Sequence, residues 1–214
     1  MPIPESNDSV ALTAVILAGG RGLRMGGVDK GLQLFRGQTL VAHAMQRLAA
    51  QLRYAPLAVL INANRNAEQY AGMGATVVAD SLQDFQGPLA GFLAALEACS
   101  TPYLLTVPCD SPLFPLDLAQ RMVDALLQTD AQIAIALAPE QDATGAIQLR
   151  SQPVFCLMRT GVRESLQQFL QSGGRKIDAW TSAQGQVLVP FNAPGDDPGA
   201  FANANTLEEL QRLE

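Results

Sequence analysis

The run Thr13-Ala-Val-Ile-Leu17 passes without interruption into Ala18-Gly-Gly-Arg-Gly-Leu-Arg-Met-Gly-Gly-Val-Asp-Lys30. A short apolar run bounded by glycine reads as a strand buried on both faces, the kind found in a parallel sheet. Five glycines stand between Gly19 and Gly27. Glycine permits tight turns and brings backbone N–H groups close to phosphate oxygens. Arg21, Arg24 and Lys30 add three cations to the same loop. Backbone donors and cations beyond the carboxyl end of a strand make a site for a highly charged anion such as a triphosphate. Two familiar phosphate loops are excluded by spacing. A P-loop needs a Gly-Lys pair, and the chain has none. The dinucleotide fingerprint also fails: Gly20-Arg-Gly22 followed by Gly26 is one residue too long, and Asn62-Ala-Asn64 stands where an acidic residue belongs.

Outward from this loop, apolar runs alternate with helix-period segments. Strands are expected over Leu57 to Ile61, Thr76 to Ala79, Tyr103 to Val107, Gln132 to Leu137, Pro153 to Met158 and Val187 to Val189. Helices are expected from Thr39 (as cap) to Arg53, around Asn66 to Ala71, from Pro88 to about Cys99, from Pro115 to about Gln128 and from Gly161 to Gln171. Thr206-Leu-Glu-Glu209 has capping-box spacing and opens a last helix. The alternation predicts an α/β fold, a three-layer α/β/α domain on a mostly parallel, Rossmann-like sheet. The polar start, residues 1–10, reads as a disordered leader, and 11–214 as one domain.

Composition narrows the chemistry. The 214 residues carry 14 Lys plus Arg against 20 Asp plus Glu, a net charge of −6 that argues against nucleic-acid binding. A single histidine, His43, excludes sites built on several imidazoles, and its place inside a helix marks it as structural. Cys99, Cys109 and Cys156 form no metal-ligand spacing, and their odd number fits a reducing cytosol. No apolar run is long enough for a membrane span. The charge is also uneven. Ser9 to Arg65 holds seven basic residues and one acidic, whereas Asn66 to Gln120 holds six acidic and no basic ones.

Several residues follow strand ends. Asp110 reads equally as a Mg²⁺ ligand and as a helix cap, with Ser111 the better cap. Asp80 could accept from base N–H groups or serve as a turn residue. Asn62 could offer its amide to a base or ribose, or simply turn the chain. Gly87-Pro-Leu-Ala-Gly91 opens a helix whose small residues permit close approach, for packing or for a ligand. Asn203 and Asn205 precede the last helix. Arg175 and Lys176 follow a helix stop, as a solvated turn or as a contact for a second substrate's phosphate.

The pattern L-A-G-G-x-x-x-R-M-G-x-x-x-K, from Leu17 to Lys30, resembles the signature loop of nucleotidyltransferases with the glycosyltransferase-A-like fold. The block Leu17 to Leu32 resembles more closely the MobA family of molybdenum cofactor guanylyltransferases. Ile61-Asn-Ala-Asn-Arg65, Asp80-Ser-Leu82, Gly87-Pro-Leu-Ala-Gly91, Pro108-Cys-Asp110 and Phe201-Ala-Asn-Ala-Asn-Thr206 match that family in order. The resemblance implies a nucleotide-diphospho-sugar-transferase-like fold, Mg²⁺ as cofactor, and GTP and Mo-molybdopterin as substrates. It implies nucleotide contacts from Leu17, Ala18, Gly19, Gly20, Lys30, Asn62, Asp80 and Asp110, with Arg24, Lys30 and Asp110 serving catalysis. Asp110 would hold the metal, joined by Asn205, and Arg175, Lys176 and Asn203 would face the acceptor. Transient contacts with other cofactor-biosynthesis proteins, and with molybdoenzymes or their chaperones, are further implications. Two departures stand out: Arg21 where the family often has Lys, and Gln152 where a relative may carry His. Rival readings are a molybdopterin cytidylyltransferase, a sugar-1-phosphate nucleotidyltransferase and a GTP- or pterin-binding protein without catalysis. Gly19-Gly20 argues against the cytidylyl relative, whose loop reads L-A-A-G. The missing nucleophile is itself informative, because a phosphate monoester acceptor is already anionic at neutral pH and needs no general base.

Overall fold

The structure is a computed structural model that describes residues 10–19, 28–82, 87–142, 144–204 and 206–213. The leader, apart from Val10, lies outside the described residues.

Nine strands are described: β1 (Leu12–Leu17), β2 (Leu34–Phe35), β3 (Gln38–Thr39), β4 (Ala58–Asn62), β5 (Thr76–Val78), β6 (Tyr103–Pro108), β7 (Ile133–Gln141), β8 (Ile147–Arg159) and β9 (Gln186–Pro190). Seven α-helices accompany them: α1 (Leu40–Ala49), α2 (Ala67–Ala71), α3 (Pro88–Ala98), α4 (Leu118–Leu127), α5 (Arg163–Gln171), α6 (Ile177–Ala183) and α7 (Leu207–Arg212). The main sheet has the order β5-β4-β1-β6-β8-β7-β9. β8 is antiparallel to both neighbours, and every other pair in the sheet is parallel.

β1 lies inside this sheet and is buried from Leu12 to Ile16, as its unbroken apolar run requires. Its side chains alternate between two cores. Leu12, Ala14 and Ile16 join Leu48 of α1 and Met122 of α4 on one face. Val15 joins Phe92 of α3, Leu166 of α5 and Trp180 of α6 on the other. This alternation is the period of two that makes a three-layer α/β/α sandwich.

Local signals set the element ends. The Thr39 side chain accepts from Ala42 N, and Pro88 occupies the first turn of α3. The capping box at α7 is complete: Glu209 N donates to Thr206 Oγ1 at 3.1 Å, and Thr206 N donates to Glu209 Oε2 at 3.2 Å. β2 and β3 form a small hairpin across Arg36 and Gly37, both at positive φ, a turn that matches strand twist.

Some expectations need correction. The helix expected from Pro115 begins at Leu118, and α1 stops at Ala49 rather than Arg53. β7 and β8 run well past the expected strands, because polar residues there pair with each other rather than bury a face. α6 was not expected, since its seven residues follow Lys176 with no side-chain cap. No described helix is long and apolar enough to cross a membrane.

α3 buries eight residues from Leu89 to Leu96 and is apolar nearly all round. Phe92→Ala is therefore expected to lower the unfolding free energy by about 3–5 kcal/mol in urea denaturation.

Candidate active site

Leu17 ends β1 in register with Asn62 of β4 on one side and Pro108 of β6 on the other. Asn62 is in turn in register with Val78 of β5. Four strand ends thus form one rank. Gly19, Asn64, Asp80 and Asp110 each stand two residues past it. The chain leaves β1 for β4 and β5 on one side and for β6 on the other, so this edge is a topological switch point, where open α/β sheets bind ligands. A cleft of about 890 Å³ opens there. Leu17, Ala18, Gly19, Lys30, Asn62, Asp80 and Asp110 all line it. Of the expected nucleotide contacts, only Gly20 lies outside the described residues, as do Arg24 and Asn205.

Lys30 and Asp110 meet in the cleft. Lys30 opens a short 3₁₀ turn, Asp110 follows β6, and Nζ lies 2.5 Å from Oδ2. Neither helix-cap reading survives at this position, because α4 begins only at Leu118, with Asp117 preceding it. Ser111 is fully buried instead, and its hydroxyl donates to Asn203 Oδ1 at 2.5 Å. Ala204 N donates to the Asp110 carbonyl at 2.8 Å, which ties the Asn203 loop to the same carboxylate-bearing segment.

On the opposite wall Asp80 is held by two amides. Asn62 Nδ2 donates to Oδ1 at 2.9 Å, and Asn64 Nδ2 donates to Oδ2 at 2.8 Å. Asn64 Oδ1 accepts from Asp80 N at 2.8 Å. Asn62 is buried and its Nδ2 also donates to the Val78 carbonyl. Its immediate role is thus to fix Asp80. Asn64 of the same Asn-Ala-Asn motif carries as much of this arrangement, and nothing in its sequence context separates it from an ordinary turn residue. Gly91 explains its own smallness: a Cβ there would lie 2.4 Å from Asn62 Oδ1.

The remaining wall comes from β8. Ile135 pairs with Cys156, but the next residue, Ala136, pairs with Gln152. Pro153, Val154 and Phe155 are therefore unpaired with β7 and line the cleft with Gln152. The buried Thr106 hydroxyl donates to the freed Val154 carbonyl at 2.5 Å. Gln152 Nε2 donates to Glu140 Oε1 at 2.6 Å. Asn203 lines the cleft, whereas Arg175 and Lys176 do not. Their exposed turn joins α5 to α6, where Gly173 has φ of 89° and Gly174 leaves room for the Phe169 ring.

Other candidates fall away for physical reasons. The Cys109 thiol is pushed far above its ordinary range by burial and then by Asp110, and Cys156 by burial alone. Neither supplies a thiolate. His43 Nε2 bonds the Phe35 carbonyl at 2.6 Å and its ring meets Phe35 edge-on.

Gly91→Ala is expected to displace Asn62, weaken binding of a nucleoside triphosphate in the cleft by about 10-fold and destabilise the fold by about 1–3 kcal/mol. Calorimetric titration and denaturation check both. Gly161→Ala, where a Cβ meets nothing within 4 Å, should leave both unchanged.

The family model for the MobA-like NTP transferase domain matches residues 14–189. A molybdenum cofactor guanylyltransferase of Acidovorax sp. is 56% identical over 208 residues, covering 97% of each chain. A protein of the same description from Ralstonia nicotianae is 53% identical, covering 99% of this chain and 98% of its own. Among solved structures, the molybdopterin-guanine dinucleotide biosynthesis protein A of Archaeoglobus fulgidus superposes with a TM-score of 0.73 at 20% identity, covering 94% of this chain and 96% of its own. The 4-diphosphocytidyl-2C-methyl-D-erythritol synthase of Anaerococcus prevotii superposes with a TM-score of 0.70 at 12% identity, covering 96% and 97%, so the fold is one that nucleotidyltransferases share. The glycine-rich loop, the rank of strand ends and these likenesses agree: this chain belongs to the MobA-like NTP transferase family.

Proposed function

We propose that this chain is a molybdenum cofactor guanylyltransferase, transferring GMP from GTP to the terminal phosphate of Mo-molybdopterin and releasing pyrophosphate. The observation that carries the reading is the Lys30–Asp110 contact of 2.5 Å at the switch point of the sheet, with Asp80 held on the facing wall. Relatives more than 50% identical across the chain bear this activity in their names.

The reaction forms a bond from an acceptor phosphate oxygen to the α-phosphorus of GTP. It breaks the bond from that phosphorus to the oxygen bridging to the β-phosphate. Because the acceptor oxygen is already anionic, no proton has to be removed. The protein must position two anions against their repulsion and neutralise the charge that develops. Lys30 does this from its turn, and Arg24 adds a second cation. Leu17, Ala18, Gly19 and Gly20 supply the backbone of the phosphate loop. Asp80 offers a carboxylate to the N1–H and N2–H donors of guanine, and each of its oxygens retains acceptor capacity beyond the amide that fixes it. Cytosine lacks that pair of donors.

The residues fit Mg²⁺. Among the described residues no group of three or more His, Cys, Asp or Glu could hold a metal by itself. Asp110 supplies one carboxylate at the cleft, and Mg²⁺ characteristically takes one or two carboxylates and completes its shell with phosphate oxygens and water. Asp110 would hold the ion, with Asn205 as a further ligand, and the bound ion would neutralise phosphate charge. Asp110 pairs with Lys30 at 2.5 Å, so a carboxylate engaged with the ion would leave the ammonium to the triphosphate. Asn203, fixed by Ser111, faces the acceptor, and Gln152 lines the same cleft. Arg175 and Lys176 contribute only if the acceptor reaches beyond the cleft. The enzyme works in the cytosol, where its three free thiols persist, and passes its product to molybdoenzymes or their chaperones.

Pyrophosphate release with Mg²⁺ and Mo-molybdopterin is expected to be at least ~10-fold faster with GTP than with CTP. Asp110→Asn and Lys30→Ala should each lower turnover by about 10²–10³-fold with the melting temperature nearly unchanged. Equal use of CTP, or near-parent activity of either variant, contradicts the roles given.

A further inference from the structure

Asp29 precedes the lysine and does not line the cleft, yet it is 9% exposed. Its Oδ1 accepts from Tyr70 Oη at 2.5 Å and from Gly31 N at 3.2 Å. Its Oδ2 accepts from Asn66 Nδ2 at 2.8 Å. Its carbonyl accepts from Gln33 Nε2 at 3.1 Å and Leu32 N at 3.3 Å. One carboxylate thus caps the turn Lys30–Leu32 and fastens it to α2. Tyr70 is fully buried, and its phenol is raised well above the ordinary range by burial and then by Asp29, so it stays a donor at any working pH. Gly31 lets the turn settle on that hydroxyl, because a Cβ would lie 2.5 Å from Oη and 2.8 Å from Val41 Cγ2. Asn66 follows Asn64 and Arg65 directly, and both of these line the cleft. The carboxylate therefore joins the wall that carries the phosphate cation to the wall that carries Asp80.

We propose that Asp29 is a positioning residue that acts through Lys30: its buried carboxylate holds the lysine's turn against Tyr70 and Asn66 and so sets where the ammonium meets the triphosphate. This rests on the reading of Lys30 as a phosphate-binding group. A charged carboxylate next to an anion site is costly on electrostatic grounds, because it repels the ligand. Its retention makes sense only through the geometry it enforces, and that contrast gives the test its sign. By charge alone, Asp29→Asn should tighten anion binding. By positioning, it should weaken it.

The experiment measures binding of inorganic tripolyphosphate by calorimetry, which needs no acceptor and no transfer. Four proteins are compared: the parent, Asp29→Asn, Lys30→Ala and the double variant. Asp29→Asn is expected to weaken binding by about 10-fold in the parent and less than ~2-fold in the Lys30→Ala background, since interacting residues are non-additive. Tyr70→Phe, which removes only the hydroxyl from the buried ring, should follow Asp29→Asn in direction while keeping the fold. With GTP and Mo-molybdopterin, both variants should lose kcat more than they raise KM. Tighter or unchanged tripolyphosphate binding by Asp29→Asn, equal losses in both lysine backgrounds, or no binding by the parent overturns the proposal. Binding that follows the expected pattern in a parent inactive with GTP and Mo-molybdopterin would sustain it and reject the guanylyltransferase reading instead.

Discussion

The parallel register of β1 with β4 and β6 is the constraint on which the site depends. Because Leu17 is opposite both Asn62 and Pro108, residues far apart in the chain leave the sheet at one level. Two residues of backbone are then enough to bring Asp110 to the cation that follows the glycine loop. The register is set by burial. β1 is covered on both faces by apolar side chains, and a slip of one residue would exchange the Ile16 and Val15 faces between the two cores. The chemistry is thus located by hydrophobic packing that takes no part in it.

Small residues supply the second constraint. Gly91 and Gly31 lie in ordinary backbone conformations and are required for proximity. One admits the Asn62 amide and the other the Tyr70 hydroxyl. Each fixes a polar side chain that in turn fixes a carboxylate, Asp80 in one case and Asp29 in the other. The formal charge of −6 hides this layout. Asp29 is buried and Asp80 half-buried, each fixed by its donors, while Lys30 lines the cleft.

The mostly parallel sheet, the glycine-rich run after β1 and the place of Asp110 at a strand end were legible in the sequence, because each leaves a local signature: an apolar run, a glycine cluster, an acid after a strand. The Asn62-to-Asp80 pairing was only half legible. Either residue could have been a turn, and no single-residue pattern announces that an amide and an acid 18 positions apart will bond. Asp29 was not legible at all. It looks like one more polar residue in a cationic loop until Tyr70 and Asn66 fold over it. The irregular pairing at Pro153, Val154 and Phe155 escaped for a similar reason. It consists of residues that fail to pair, and Thr106, which satisfies the Val154 carbonyl, reads in sequence as an ordinary strand threonine.

GTP labelled at the α-phosphate, incubated with the protein, Mg²⁺ and Mo-molybdopterin, tests the central claim most directly. Guanylyl transfer requires the label to leave GTP in a pterin dinucleotide, while label at the β- or γ-phosphate leaves as pyrophosphate. Label recovered as free GMP, or remaining in GTP while the acceptor is present, would contradict it.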